Sequence, residues 1–72
     1  MKKINKIKIK INGKFIKIQD KTTLLNLVKK LKIPANKVAI ELNQKIVNKK
    51  SLGYIKIKEN DKIEIVHFIG GG

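Results

Sequence analysis

Residues 6–18 read Lys6-Ile7-Lys8-Ile9-Lys10-Ile11-Asn12-Gly13-Lys14-Phe15-Ile16-Lys17-Ile18, an alternation of lysine and isoleucine interrupted by Asn12-Gly13. Successive side chains of an extended chain point to opposite faces, so Ile7, Ile9 and Ile11 share one face and Lys6, Lys8 and Lys10 the other. Isoleucine is β-branched and suits a pleated, half-buried surface. Asn12 and Gly13 both tolerate the positive φ that a two-residue hairpin turn demands. Phe15, Ile16 and Ile18 then read as the returning strand. The chain opens as a β-hairpin, which is marginal until something covers its isoleucines.

The cover follows directly. Leu24, Leu27, Val28 and Leu31 recur at i, i+3, i+4 and i+7, one face of a helix. Thr22 or Thr23 is placed to cap its start, with Asp20 near the positive end of the dipole and Lys29, Lys30 and Lys32 near the negative end. Pro34 is expected to stop it, because the residue before a proline avoids helical geometry. Val38, Ile40 and Leu42 alternate as a third strand, Asn43-Gln44 turns it, and Lys45-Ile46-Val47 is a short strand. A short helical turn is expected around Ser51-Leu52, then an extended segment holding Ile55 and Ile57. Glu59-Asn60-Asp61 is a turn that reads as solvated. The last strand runs from Lys62 to Phe68, with Ile63 and Ile65 on one face and Val66 and Phe68 on the other. This order predicts an α+β domain with one main helix across a mixed sheet of four to five strands, the first and last strands pairing in parallel at its centre. That is the ubiquitin-like β-grasp arrangement, expected as a single domain over residues 1–72 with a flexible tail at 69–72.

Composition removes most function classes. The chain has 72 residues, no Cys and one His, so disulfides and thiolate metal sites are excluded and a zinc site has almost nothing to build on. No apolar run approaches the roughly 18 residues of a membrane span, and the basic start Met1-Lys2-Lys3-Ile4-Asn5-Lys6 lacks the apolar stretch of a signal peptide. The expected location is the cytoplasm, with no membrane partner. The net charge is +13, and all 18 basic residues are Lys. Taken alone, that charge points to a small nucleic-acid-binding domain. Yet Lys, Ile and Asn fill 39 of 72 positions, a bias that codons rich in A and T produce in a protein of any function. Nucleic-acid readers favour Arg for bidentate contacts and aromatics for stacking, and only Phe15, Tyr54 and Phe68 are aromatic here. The lysines, spread from Lys2 to Lys62, read as a solvated face, and no nucleic-acid partner is expected.

Side-chain catalysis finds no footing. Ser51 is the only serine and His67 the only histidine, and nothing in their spacing joins them. No glycine-rich phosphate loop precedes the helix, and Gly13 is explained by its turn. Gly70-Gly71-Gly72 remains. With glycine at about 7% of residues, three in succession at one place is a chance of a few in ten thousand. A frayed end or an appended remnant is the plain alternative. The functional alternative is geometric: without Cβ atoms, such a tail threads a narrow channel, reaching roughly 10 Å beyond the last strand. At its tip the Gly72 α-carboxylate is the one chemically distinct group. Adenylation by ATP would give it a leaving group, and an attacking sulfur would then leave a thiocarboxylate.

The ending Ile63-Glu64-Ile65-Val66-His67-Phe68-Ile69-Gly70-Gly71-Gly72 closely resembles that of the ThiS family, sulfur carriers of thiamine biosynthesis. Ile9-Lys10-Ile11-Asn12-Gly13-Lys14, the helix after Thr23, Val38-Ala39-Ile40-Glu41-Leu42-Asn43 and the acidic turn before the last strand fall in family order. The resemblance covers nearly the whole chain. It implies the β-grasp fold and a protein co-substrate, not an enzyme. It also implies that Gly72 is adenylated and thiocarboxylated, while Gly70 and Gly71 form the tail entering partner sites. The implied partners are an E1-like adenylating enzyme that uses the ATP, a sulfur donor such as a cysteine desulfurase, and thiazole synthase; no cofactor is bound by the carrier itself. Asn60 and Gln44 stand where many members have Gly, Met1 to Lys6 extends the usual start, and the charge is unusually basic. The small subunit of molybdopterin synthase shares the fold and a Gly-Gly ending, but its Pro-containing segment before the tail is missing here.

Overall fold

A computed structural model describes residues 5–68 of the protein. Five strands, β1 Lys6–Ile11, β2 Lys14–Gln19, β3 Val38–Leu42, β4 Lys45–Ile46 and β5 Lys62–His67, form one sheet in the order β2-β1-β5-β3-β4. The α-helix α1, Leu24–Lys30, lies between β2 and β3 in the chain, and 3-10 segments cover Ala35–Lys37 and Lys49–Tyr54. β1 and β5 are parallel at the centre, and the other pairings are antiparallel. This is the β-grasp arrangement expected from the alternation of the strands. The tail expected at 69–72 lies outside the described residues.

The opening hairpin forms as its sequence dictates. Ile7 pairs with Ile18 and Ile9 with Ile16, while Asn12 (φ 47°) and Gly13 (φ 84°) make the turn. The isoleucines of one sheet face meet the helix. Leu24, Leu27 and Val28 of α1, Ile7 and Ile9 of β1, Ile18 of β2, Val38 and Ile40 of β3 and Ile63 and Ile65 of β5 are all buried in one cluster. Leu52 and Ile57 close its flank. Each such side chain contributes roughly 1.5–3 kcal/mol on burial, so this single layer of contacts is the main stabilising term. The segment carrying Ile57 is tied to the start of the helix, the Ile57 N–H donating to the Thr22 carbonyl at 2.8 Å and the Leu24 N–H to the Ile55 carbonyl at 2.9 Å.

The two threonines divide their work. Thr23 is the N-cap, its hydroxyl accepting from the Asn26 N–H at 3.1 Å, whereas the Thr22 hydroxyl donates to the Gln19 carbonyl. Asp20 lies outside the first turn and accepts from the Lys21 N–H instead. The far end departs from expectation. The helix stops at Lys30 because Lys32 takes a left-handed conformation, φ 59°. The Ile33 N–H then reaches back to the Val28 carbonyl and the Lys32 N–H to the Lys29 carbonyl, closing a Schellman motif. Pro34 therefore follows a stop that is already complete. Leu31, expected on the apolar face, is 43% exposed at the C-cap, and Ile33 packs against the core in its stead.

Glu59 is exposed and Asp61 half-buried, and both are structural and not merely solvated. Glu59 accepts from the Lys8 N–H at 3.1 Å, and Asp61 from the Lys58 N–H at 2.7 Å and the Asn43 side-chain amide at 3.0 Å. Asn43 in turn accepts from the Lys62 N–H at 2.9 Å. These bonds fix the turn that launches β5 between β1 and β3. The sheet's outer strands carry Lys14 and Lys17 on β2 and only two residues on β4, features that discourage edge pairing with other chains. No helix among the described residues is long and apolar enough to cross a membrane.

Asn12 has a second task. β1 accompanies β5 only as far as Ile11 beside Ile63, then turns away. The Asn12 side chain takes the place of the next peptide: its Oδ1 accepts from the Ile65 N–H at 2.8 Å and its Nδ2 donates to the Ile65 carbonyl at 3.2 Å. One amide thus extends the ladder by one residue.

Two changes test these points. Lys32→Gly is expected to raise stability in urea denaturation by roughly 0.5–1 kcal/mol, since glycine adopts the left-handed C′ conformation without a Cβ clash. Asn12→Gly keeps the turn but removes the amide, so stability is expected to fall by about 1–2 kcal/mol. Hydrogen exchange is expected to accelerate at the Ile65 amide more than at Val66, whose N–H faces β3; equal acceleration would contradict the bridging role.

Candidate functional site

The residues singled out for chemistry, Gly70, Gly71 and Gly72, lie outside the described residues, so what the structure supplies is the strand that leads to them. β5 is the central strand. It is paired with β3 from Ile63 to His67, ending opposite Val38, and the Phe68 N–H donates to the Lys37 carbonyl at 3.0 Å. On its other side the last bonds come from the Asn12 amide at Ile65. The strand is held on both sides to Ile65 and on one side to Phe68. Its direction at Phe68 is therefore set by sheet hydrogen bonds and not by side-chain packing.

Side chains around this exit fall on the sheet face that the helix does not cover. Val66 is 56% and Phe68 55% exposed. Ala39 stands opposite Val66, and Ile46, 77% exposed, stands opposite Glu41. The Lys49 ammonium lies 5.1 Å from the centroid of the Phe68 ring, within cation–π range. Together these make an apolar strip beside the end of β5. Glu41 and Glu64 face each other within it, in register across β3 and β5.

The side chains that might have carried catalysis stay apart. Ser51 belongs to the 3-10 segment Lys49–Tyr54, where its N–H donates to the Asn48 carbonyl. His67 is exposed at the end of β5, and no hydrogen bond among the described residues joins the two. Among the described residues no three His, Cys, Asp or Glu side chains are grouped as a metal site would require. The described arrangement offers a central strand and an apolar strip beside it, with the run Gly70-Gly71-Gly72 following in the sequence. Sequence reasoning missed the double role of Asn12, because the contact lies 53 residues away in the chain.

Comparison with known proteins follows the same lines. The chain aligns over 66 residues, at 41% identity, with a thiazole synthase of Magnetococcus marinus, covering 92% of this chain but 20% of that protein. This chain thus spans a fifth of the length of that relative. It is 34% identical over 65 residues to the sulfur carrier protein ThiS of Bacillus subtilis, covering 89% of this chain and 98% of that one. The crystal structure of a thiamine biosynthesis protein (ThiS) from Geobacter metallireducens superposes with a TM-score of 0.81 at 26% identity, covering 92% of this chain and all of that one. The same five-stranded β-grasp sheet with one main helix is thus shared. The description of the ThiS family matches residues 3–72, from before β1 through the glycines beyond β5, and this chain belongs to the ThiS family.

Proposed function

We propose that the protein is a sulfur carrier of thiamine biosynthesis and that Gly72 carries the sulfur. The observation that carries this reading is the run Gly70-Gly71-Gly72 immediately beyond the central strand of a ThiS-family β-grasp domain. On this reading the Gly72 α-carboxylate attacks the α-phosphate of ATP in an adenylating enzyme, giving the acyl adenylate and pyrophosphate. A sulfur nucleophile at the sulfide level then displaces AMP and leaves a thiocarboxylate. Gly70 and Gly71 pass through the partner's channel, where a Cβ would obstruct close approach of the partner's backbone. The protein itself is a co-substrate: it supplies a carboxylate on a rigid strand, and the bond-making groups belong to its partners.

Several observations support this. The Bacillus subtilis relative matched over nearly its whole length is named a sulfur carrier, and the Magnetococcus marinus relative is named a thiazole synthase. Thiazole synthase is accordingly the proposed acceptor, and the sulfur originates as the persulfide of a cysteine desulfurase, which a thiol reductant cleaves to sulfide while itself ending as a disulfide. The described side chains offer no competing reactive cluster. The apolar strip of Ala39, Val66, Phe68 and Ile46 gives a partner a surface beside the tail. Such a strip fits proteins that grip the domain while its end is processed.

The test is direct. Incubation of the intact chain with ATP, the adenylating enzyme of the same organism and a sulfur donor is expected to shift the intact mass by the difference between sulfur and oxygen. Deleting Gly72 is expected to abolish the shift. An unchanged mass, or a shift that survives the deletion, would refute the proposal, and adducts of much higher mass would indicate conjugation to lysines in its place.

A further inference from the structure

The uncovered face of the sheet is divided. On β1, Lys6, Lys8 and Lys10 project from it, and their partners on β2 are Gln19, Lys17 and Phe15. Lys62, at the start of β5, lies beside Lys10. Five ammonium groups therefore share one half of the face, with no carboxylate on these strand positions. The other half holds Ala39, Val66 and Ile46 with the facing pair Glu41 and Glu64. The sequence spreads lysines along the whole chain, but pleating and strand order bring these five together.

The basic half is shaped as well as charged. A concavity of about 170 Å³ is lined by Lys8, Ile9, Lys10, Phe15, Asn60 and Lys62. Phe15 is 64% exposed, and the Lys8 and Lys10 ammonium groups stand 5.0 Å and 4.9 Å from the centroid of its ring. The ring quadrupole attracts both ammonium groups to one site, where their positive charge favours an anion from outside. Glu59, Asp61 and Asp20 accept their hydrogen bonds from main-chain N–H groups and from the Asn43 amide, not from lysine ammonium groups.

We propose that this lysine-lined concavity is a second docking point, engaging an acidic patch on the adenylating enzyme that receives the tail. The inference rests on the carrier reading above and adds a partner surface to it. Lys62 and Phe68 are six residues apart on one strand, so the basic pole lies roughly 20 Å from the tail's exit. That span fits inside one protein interface of ordinary size, and both poles lie on the same sheet face. An enzyme seated on the apolar strip continues naturally onto the lysines. A charged contact so far from the reacting carboxylate acts on encounter and orientation: it accelerates association and fixes which way round the carrier docks. A protein partner is favoured over nucleic acid because the concavity holds one aromatic ring, Phe15, and no arginine, whereas single-strand grooves stack successive bases on several rings.

The experiment compares two triple variants of equal charge change, Lys8→Glu/Lys10→Glu/Lys62→Glu and Lys29→Glu/Lys30→Glu/Lys50→Glu, each checked for folding by circular dichroism. Binding to the adenylating enzyme is measured from low to physiological salt, and thiocarboxylate formation is followed in parallel. Lys8→Gln/Lys10→Gln/Lys62→Gln serves as the milder version should the reversal not fold. Wild-type affinity is expected to fall steeply with salt. The sheet variant is expected to bind about tenfold more weakly at low salt with a flattened salt dependence, while the helix-side variant stays within about threefold of wild type. Equal losses in both variants, or none in either, would overturn the inference. So would tighter binding of wild type to a single-stranded oligonucleotide than to the enzyme at the same salt. If wild type forms the thiocarboxylate but the sheet variant binds unchanged, only this inference fails; if wild type neither binds nor reacts, the carrier reading fails with it.

Discussion

The parallel contact between β1 and β5 is the constraint on which the rest of this structure depends. It joins the first strand to the last, so nearly the whole chain must make an excursion and return. A parallel pairing cannot be closed by a tight turn, and the connection has to pass over the sheet. Here that connection runs through β2 and then α1, which lies on the isoleucine face and buries it. The cost is the loop entropy of bringing distant residues together, and the burial of Ile9, Ile63, Leu27 and their neighbours offsets it. Because the last strand is central, it is held on both sides as far as Ile65 before it leaves the sheet.

A domain of this size has one core and no interior left over for a pocket of its own. One face of the sheet is consumed by stability, and the other is left uncovered. This division explains why the side chains capable of chemistry are scattered and bonded to the backbone, as Glu59 and Asp61 are, while the uncovered face collects exposed apolar and charged groups. Membership of the ThiS family agrees with such an economy. Backbone strain is accepted within it: Lys21, Lys32, Asn43, Gln44 and Asn60 all take positive φ without being glycine. Left-handed geometry costs an ordinary residue about 1 kcal/mol, which the isoleucine-rich core tolerates.

The parts legible in the sequence were those governed by short periods. Alternation placed β1, β2, β3 and β5, and the spacing of Leu24, Leu27 and Val28 placed the helix. Asn12-Gly13 and Asn43-Gln44 announced turns, and both pairs do take positive φ. The glycines at 70–72 were legible as a motif for the same reason, being adjacent in the chain. What escaped was non-local. Leu31 continues the helical period, yet the Schellman stop at Lys32 turns it outward, because the Ile33 N–H finds a carbonyl five residues back and Ile33 packs in place of Leu31. Asn12 reads as a turn residue, and its bond to Ile65 exists only once β5 has been laid beside β1.

Sequence alone therefore determined the elements, their apolar faces, the β-grasp order and the candidate tail, since each follows from the handedness and period of a few consecutive residues. Tertiary structure decided how far β5 is supported, that Glu59 and Asp61 accept backbone hydrogen bonds, and that five of the lysines stand together on one half-face beside Phe15. The reason is geometric. Charge is counted along the chain, but an electrostatic field is summed over positions in space, and only the pairing of β2, β1 and β5 brings Lys6, Lys8, Lys10, Lys17 and Lys62 onto the same side of one sheet.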